Sequence, residues 1–557
     1  GSLVLGRARQ DADVGLWILE GGGVLEGAGG GGGRGGRGGE DLQVDPVNQF
    51  LSSNYYQTEE QVSNALIGAY DPVGWSMAFG QWISPTMFGE IRSDNANAGG
   101  DPSDNDQPGW QEFDDFRNTN INTVTHPIYR RSYIGIGRVN ALLELTELST
   151  PAVEVYKAEA LFLRAYYHFE LFRHFGPIPL VTTTLTPNAL DLSRNTLSEV
   201  MQQIVQDCED AAAVLPTSAP SGQEGRATRG AALALMGKAY LYWADLKGDD
   251  VMMFDQAASA LQQVVDLGVY ELEDEMERLY QLGVRNTTES VFEIQHNPLY
   301  SSDWGWSEGV DGNAMIQLCG IRGLCSEHPA YEAGWGFMAV TEGLWNHFLD
   351  DDQYRRDVAI ISEDELAQDL ADAGLSCDPI IDMTQNNPQD FTGYWQQKYA
   401  NYKSFAGMNV NGGNEHLTKS LNAHALRYAD VLLMLAESLH RGSGDDGSAM
   451  SYIDIVRERA AGPGDNTGNF RTASDVMAAE GWGLQELIWY ERRAEFACEG
   501  DRWFDLVRSG RADASLFVGD GDKEGNFNEE HLWLPIALEE TVLATNLTTY
   551  PEASLFN

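Results

Sequence analysis

Lysine is scarce in this chain, with seven among 557 residues, while Asp and Glu number 84. With Arg the basic total reaches 36, so the formal charge is −48. Such a chain repels phosphate backbones, which sets nucleic-acid binding aside. An acidic surface with little Lys suits a saline medium, where salt screens self-repulsion. Cysteine is sparse too: five residues build no disulfide scaffold in a chain this long. Cys319 and Cys325 stand close enough in sequence to bridge in an oxidising place, or to stay ordinary thiols. Cys208, Cys377 and Cys498 read as lone apolar positions. No run of about 18 apolar residues occurs, so no transmembrane helix is expected. The Gly-x-Ser-x-Gly elbow and the phosphate-binding Gly-x4-Gly-Lys-Ser/Thr loop are missing. None of His126, His168, His174, His296 and His328 has the two-His helical spacing of a zinc hydrolase, so no metal ligand set and no catalytic residue are assigned.

A hydrophobic content of 43% and 14 Trp describe a folded protein. Residues 1–40 stand apart. Gly29 to Gly39 is almost all Gly with two Arg, which can bury no core, so this stretch reads as a disordered Gly-rich leader. Residues 41–557 read as one domain, with helical repeats over about 55–270 and 420–510 and a loop-rich region over about 271–420.

The repeats rest on helical periodicity. Ala158, Phe162, Ala165, Phe169 and Phe172 form one stripe, and Leu161, His168, Leu171 and Phe175 form a second beside it. A helix apolar on two sides lies between other helices. Gly176 then allows a left-handed helix end, and Pro177 cannot continue the helix. The same reading gives helices over Glu59–Tyr70, Ile128–Leu148, Leu197–Leu215, Arg229–Leu246, Phe254–Leu267, Ala425–Leu439, Met450–Ala461 and Leu484–Arg508. Small-x3-large steps such as Ala257/Leu261, and Gly237 before Tyr240, fit tetratricopeptide-type helix pairs. Strands are expected only at Ser290–Gln295 and Tyr394–Tyr402. The fold class is therefore all-α, a tetratricopeptide-like scaffold with long loop-rich insertions and minor β.

Four ordered segments carry a family resemblance. They are Ala158 to Leu180, Arg427 to Glu437, Glu491 to Arg508, and Leu532-Trp-Leu-Pro-Ile536, where Ala537 replaces a usual second Pro. Together they resemble the SusD/RagB family, the surface nutrient-binding lipoproteins of Bacteroidetes. The resemblance implies a glycan-binding protein, not an enzyme, that delivers its ligand to a SusC-like TonB-dependent transporter. It also implies a cell-surface place on the outer membrane by a lipid anchor. Glu40-Asp-Leu-Gln-Val-Asp-Pro46 resembles the family's mature start, but no Cys precedes it, so the anchor site and signal peptide are not present in this chain. Within Glu491–Arg508 the charged residues lie among Trp and Phe at spacings that let opposite charges pair along a helix or across a turn. They read as scaffold, which agrees with the family.

The ligand site is expected in the irregular regions, which hold eight of the 14 Trp. A flat ring covers the C–H face of a sugar while polar side chains take the hydroxyl rim. Trp304 and Trp306, with Tyr300, have polar neighbours and are the first expectation; Trp82, Trp110 and Trp335 follow, with Asp94 and Asn95 as rim groups. No cofactor is assigned. Asp520, Asp522, Glu524 and Gly525 make half of a calcium loop, but His531 stands where a bidentate Glu is needed; Asp101 to Asp106 is another acidic loop. Two other readings stay open: a peptide-binding family member, and a glycoside hydrolase with two carboxylates at a cleft. The glycan and its length are not legible.

Overall fold

The computed structural model describes residues 55–101, 105–186, 191–296, 312–387, 390–405, 414–463, 470–520 and 523–556. Its spine is a row of antiparallel helices. They are α1 (Glu59–Tyr70), α2 (Thr125–Leu145), α3 (Pro151–Phe175), α4 (Leu197–Val214), α5 (Arg229–Leu246) and α6 (Val251–Asp266), followed by α7 (Tyr428–Arg441), α8 (Asp446–Ala460), α9 (Leu484–Glu495) and α10 (Arg502–Arg508). From α2 to α6 each packs on the next; α7 then closes on α6, α8 and α9. The starts are chemically marked. Thr150 caps α3, with Pro151 at its first position, Thr196 and Glu199 close a capping box on α4, and Asp250 accepts two N–H groups of α6.

Close helix approach needs small residues at the crossings. A Cβ at Gly135 of α2 would stand 2.2 Å from the Tyr167 ring of α3. One at Gly237 of α5 would stand 2.5 Å from Leu261 of α6, the pairing expected of the repeat pattern. The α3 helix is buried nearly all round from Ala158 to Phe175, as its two apolar stripes require. At its end Gly176 takes φ 66°.

Strands are few and paired in twos: β1 (Met77–Ala78) with β2 (Gln81–Trp82), β3 (Ala96–Gly99) with β5 (Phe337–Val340), β4 (Ser290–Ile294) with β8 (Ala423–Arg427), and β6 (Ile360–Ser362) with β7 (Tyr394–Gln396). All are antiparallel. The strand expected over Tyr394–Tyr402 is thus only three residues long.

Two expectations need correction. The helix read over Leu484–Arg508 is two helices, broken at Phe496–Asp501. Cys498 and Gly500 adopt φ 65° and 96° there, and the Gly500 N–H donates to Glu90 Oε1 at 2.7 Å. A corner of this kind has no helical period to betray it. The disulfide joins Cys325 to Cys377, not to Cys319. Leu324 pairs with Ile381 across an antiparallel bridge, which carries Cys377 to Cys325, while Cys319 is a buried free thiol.

Glu491 and Glu495 of α9 and Glu499 of the corner sit at the centre of a buried charge lattice. Arg427 at the start of α7 reaches Glu289 at 2.8 Å, Glu495 at 2.5 Å and Glu499 at 2.8 Å. Arg355 reaches Glu491 at 2.9 Å and Glu495 at 3.5 Å. Arg457 bonds Glu491 and Arg459 bonds Glu495. Lys398 holds Glu499 at 2.6 Å. The charged residues of Glu491–Arg508 are therefore scaffold, as the spacing suggested. Burial alone would raise the pKa of Glu499, but Arg427 and Lys398 outweigh it and hold the value at about 2. Burial and Arg508 oppose each other in the same way at Glu437, also held at about 2.

Two outcomes follow from this lattice. Glu495 is fully buried, so Glu495→Gln takes one carboxylate from each of Arg427 and Arg459 and leaves the buried Glu289 shared between them. We expect a loss of about 3–5 kcal/mol in chemical denaturation; a loss under ~1 kcal/mol would show the lattice to be dispensable. Carboxylates held down by folding add stability that is complete above their unfolded pKa of 4.5 and is lost as pH falls toward their folded value near 2. The melting temperature should accordingly fall steeply across that interval, and a flat profile would contradict the assignment.

Candidate functional site

One aromatic cluster lies where the loop-rich region meets the first hairpin. The β1–β2 hairpin turns at Phe79-Gly80, with φ 51° and 76°, the two positive values that a tight two-residue hairpin turn requires. A non-glycine residue with positive φ is costly, and such residues collect at functional surfaces. The turn leaves Phe79 half-buried at the tip, with the Arg130 guanidinium 4.4 Å from its ring centroid. Trp82, on the returning strand, meets the edge of Trp335 at 5.6 Å and 61°. Trp335 in turn lies 5.8 Å from the His416 ring.

Polar groups frame Trp335. Its backbone N–H donates to the Gln317 carbonyl at 2.9 Å, and the Gln317 side chain meets His416 Nδ1 at 2.9 Å and accepts from Asn401 at 3.2 Å. The Trp335 carbonyl accepts from Arg322 at 3.1 Å, and Arg322 pairs with Asp106 at 2.9 Å and Asp101 at 3.9 Å. The second acidic loop thus serves as counter-charge to an arginine. Burial lowers the pKa of His416, so its imidazole is neutral at pH 7. A half-buried indole with an imidazole beside it and a guanidinium on its backbone carbonyl can cover a sugar face and bond its rim.

The other expected residues are placed as follows. Trp304, Trp306 and Tyr300 lie outside the described residues. Trp82 is 4% exposed, so it backs Trp335 and offers little surface of its own. Trp110 is wholly buried, edge-on to Phe113 at 5.5 Å. Asp94 and Asn95 do not join the cluster. Asn95 precedes Ala96, whose partner is Val340, while Trp335 lies beyond the other end of that ribbon, past the Gly99–Phe337 pair. Asp94 is clamped by Arg502 at 2.7 Å and Arg493 at 3.0 Å. Burial would raise its pKa, but the two guanidinium groups hold the carboxyl well below the usual range. Asn95, 1% exposed, donates to Glu90 at 2.8 Å and accepts from Arg493 at 2.9 Å. Both side chains brace the Gly500 corner. Trp110, Asp94 and Asn95 are polar or aromatic residues of an irregular stretch, a signal that burial overrides at Trp110 and Asn95 and ion pairing at Asp94.

Trp345 is also half-buried, but Tyr394 stacks on it at 4.7 Å and Arg356 lies over it at 4.2 Å. Sequence reasoning missed Phe79 and His416. A Phe-Gly pair between short apolar runs was the signal available for Phe79; His416 had none. At the calcium-like loop, Asp520 lies 3.7 Å from Lys523 Nζ and Glu524 accepts from the Gly519 N–H; Asp522 lies outside the described residues. The Lys523 ammonium is buried against the carbonyls of Ser93 at 2.9 Å and Ala96 at 2.8 Å and against Asp114 at 3.0 Å. Lys523 thus turns out of its own loop onto oxygens of the Ser93–Ala96 and Asp114 segments.

Residues 42–241 match a SusD-like family model described as starch-binding, associating with the outer membrane. Residues 362–551 match the model of the SusD family. SusD-like protein P2 of Formosa agariphila is 25% identical over 523 residues, 91% of this chain and 95% of that protein. Among solved structures, a laminarin binding SusD-like protein superposes with a TM-score of 0.72 at 28% identity, over 88% of this chain and 98% of that one. Surface glycan-binding protein A from Bacteroides thetaiotaomicron, in complex with laminarihexaose, superposes with a TM-score of 0.73 over 87% of this chain and 98% of that one; at 23% identity this likeness concerns the fold.

Trp335→Ala should weaken glycan binding roughly tenfold or more, since a well-covered ring contributes on the order of 1–3 kcal/mol. Its melting temperature should stay within a few degrees of the parent. Trp110→Ala should do the reverse, costing about 3–5 kcal/mol of stability. Calorimetric titration and denaturation of the two variants check both statements. Normal binding by Trp335→Ala would move the site elsewhere.

Proposed function

The chain belongs to the SusD family, and from that membership we propose that it captures an oligosaccharide at the cell surface and hands it to a SusC-like TonB-dependent transporter. The observation that carries the binding half is the Trp335 cluster on the loop-rich face, with its half-buried indole, the His416 imidazole beside the ring and the Arg322 guanidinium on its backbone carbonyl. Laminarin is the glycan to try first, because a relative at 28% identity binds it. Trp304, Trp306 and Tyr300 extend the proposed site. Their segment leads into Gly312, whose carbonyl accepts from Ser76 at 2.8 Å, at the base of the hairpin that bears Trp82. The helical row is the wall proposed to dock on the transporter, and a lipid anchor is proposed to hold the native protein on the outer membrane.

Binding here uses stacking and hydrogen bonds and breaks no bond of the glycan. The two solved structures compared are named as binding proteins, which supports a reading without catalysis. Among the described residues, the most deeply buried carboxylates, such as Glu491 and Glu495, are committed to Arg partners.

Titration calorimetry with laminarin oligosaccharides, starch oligosaccharides and peptides tests the proposal. Laminarin oligosaccharides should bind with saturable heat, and a reducing-sugar assay on the same mixtures should show no increase. Saturable heat only with peptides would favour the peptide-binding reading. New reducing ends would replace the binding protein with a hydrolase.

A further inference from the structure

A small cavity of about 10 Å³ lies where α9 turns into α10. One water needs ~10–15 Å³ by this measure, so a single water or a monatomic ion fits and a sulfate or a sugar does not. Four arginines line it: Arg492 and Arg493 of α9, Arg502 of α10, and Arg511 just beyond.

Each arginine keeps nitrogens to spare. Arg492 donates from Nε to Asp505 and from Nη1 to Asp430, both at 2.8 Å. Arg493 donates from Nε to Asn95 at 2.9 Å and from Nη2 to the Asp94 carbonyl at 3.2 Å. Arg502 spends Nε and Nη2 on the Asp94 carboxylate, at 2.7 and 2.9 Å. Arg511 donates from Nε to Ser509 at 2.9 Å, and its guanidinium carbon lies 4.0 Å from the Trp489 ring centroid. Among the described residues Arg492 Nη2, Arg493 Nη1, Arg502 Nη1 and both Nη atoms of Arg511 are thus left without an acceptor, and none of them is sealed off from water.

The charge around the cavity does not balance. Asp505 and Asp501 also line it, but each is already held by two cations. Asp505 pairs with Arg492 and Arg508, both at 2.8 Å, and Asp501 with Lys238 at 3.3 Å and Arg173 at 3.5 Å. Arg493 and Arg502 share one carboxylate, Asp94, and among the described residues Arg511 pairs with none. Burial and the neighbouring Arg502 charge lower the pKa of Arg493 to about 10 and of Arg511 to about 9, the direction that crowded positive charge imposes. A counter-ion relieves such crowding.

We propose that this cavity binds a chloride ion, which accepts from the free guanidinium nitrogens on its wall. Asn95 lines the same cavity, so the bound ion ties α10 and Arg511 to the start of the β3–β5 ribbon. An acidic, Lys-poor chain suited to a saline medium meets this ion in abundance. The site is separate from the Trp335 cluster, and its test stands whether or not a glycan binds.

The probe is sodium chloride, exchanged for sodium methanesulfonate at constant sodium concentration with the full chain. Methanesulfonate is too large for the cavity. The melting temperature should rise by a few degrees as chloride replaces it, and should saturate, as linkage to a folded-state site requires. Arg511→Gln, which strands no carboxylate, should abolish the saturable rise. Crystals of the parent soaked in sodium bromide should show an anomalous peak among Arg492, Arg493, Arg502 and Arg511, a readout that decides the matter even if the variant fails to fold. An equal chloride response in parent and variant, or a water alone in the bromide map, would overturn the proposal.

Discussion

Charge buried without a partner is the most expensive state a side chain can occupy, and this chain buries charge at its centre. Arg427 reaches Glu289, Glu495 and Glu499, so three separate segments of the sequence, its own included, meet at this one guanidinium. Arg355 brings in a fourth segment through Glu491. Each pair tolerates desolvation only if the others hold their geometry. The lattice therefore sets how the second half of the helical row meets the loop-rich region, and apolar packing alone would permit several arrangements. The corner at Phe496–Asp501 exists to serve it: the turn at Cys498 and Gly500 aims Glu499 inward and lets Gly500 pack on the short helix Pro85–Ile91.

From that corner the constraint passes to the aromatic cluster around Trp335. Gly500 bonds Glu90, Glu90 bonds Asn95, and Asn95 leads into the β3–β5 ribbon that ends beside Trp335. On the other side Ser76 bonds Gly312 at the base of the Trp82 hairpin. Trp335 and Trp82 thus meet where the path from the charged centre reaches the braced base of the hairpin. A binding site on loops gains precision when its loops are held this way.

The helices were legible because helical period and end signals survive burial. Ala158 to Phe175 declared a helix buried on two sides, and Gly176-Pro177 declared its end. Opposite charges around Glu491–Arg508 declared pairing, though not the corner between them, since Cys-Glu-Gly carries no periodic mark. The site was legible only in kind. Sequence pointed to aromatics in irregular stretches, and Trp335 is such a residue, but Trp110 and Asn95 met the same description and lie in the interior. Asp94 met it too and is clamped by two arginines. What separates them is burial set by contacts between distant segments, which no local pattern encodes. His416 reaches Trp335 through tertiary structure alone. The Cys325–Cys377 bridge was hidden for the same reason, because its 52-residue separation is closed by strand pairing rather than by proximity in sequence.

The central claim is that a charge-locked scaffold presents Trp335 as a platform for a glycan. The most direct measurement is a crystal structure of the protein with laminarihexaose. The account predicts a sugar ring lying against the Trp335 indole, with its hydroxyls near Gln317, His416 or Arg322. Ordered oligosaccharide bound elsewhere, with the Trp335 ring uncovered, would contradict it.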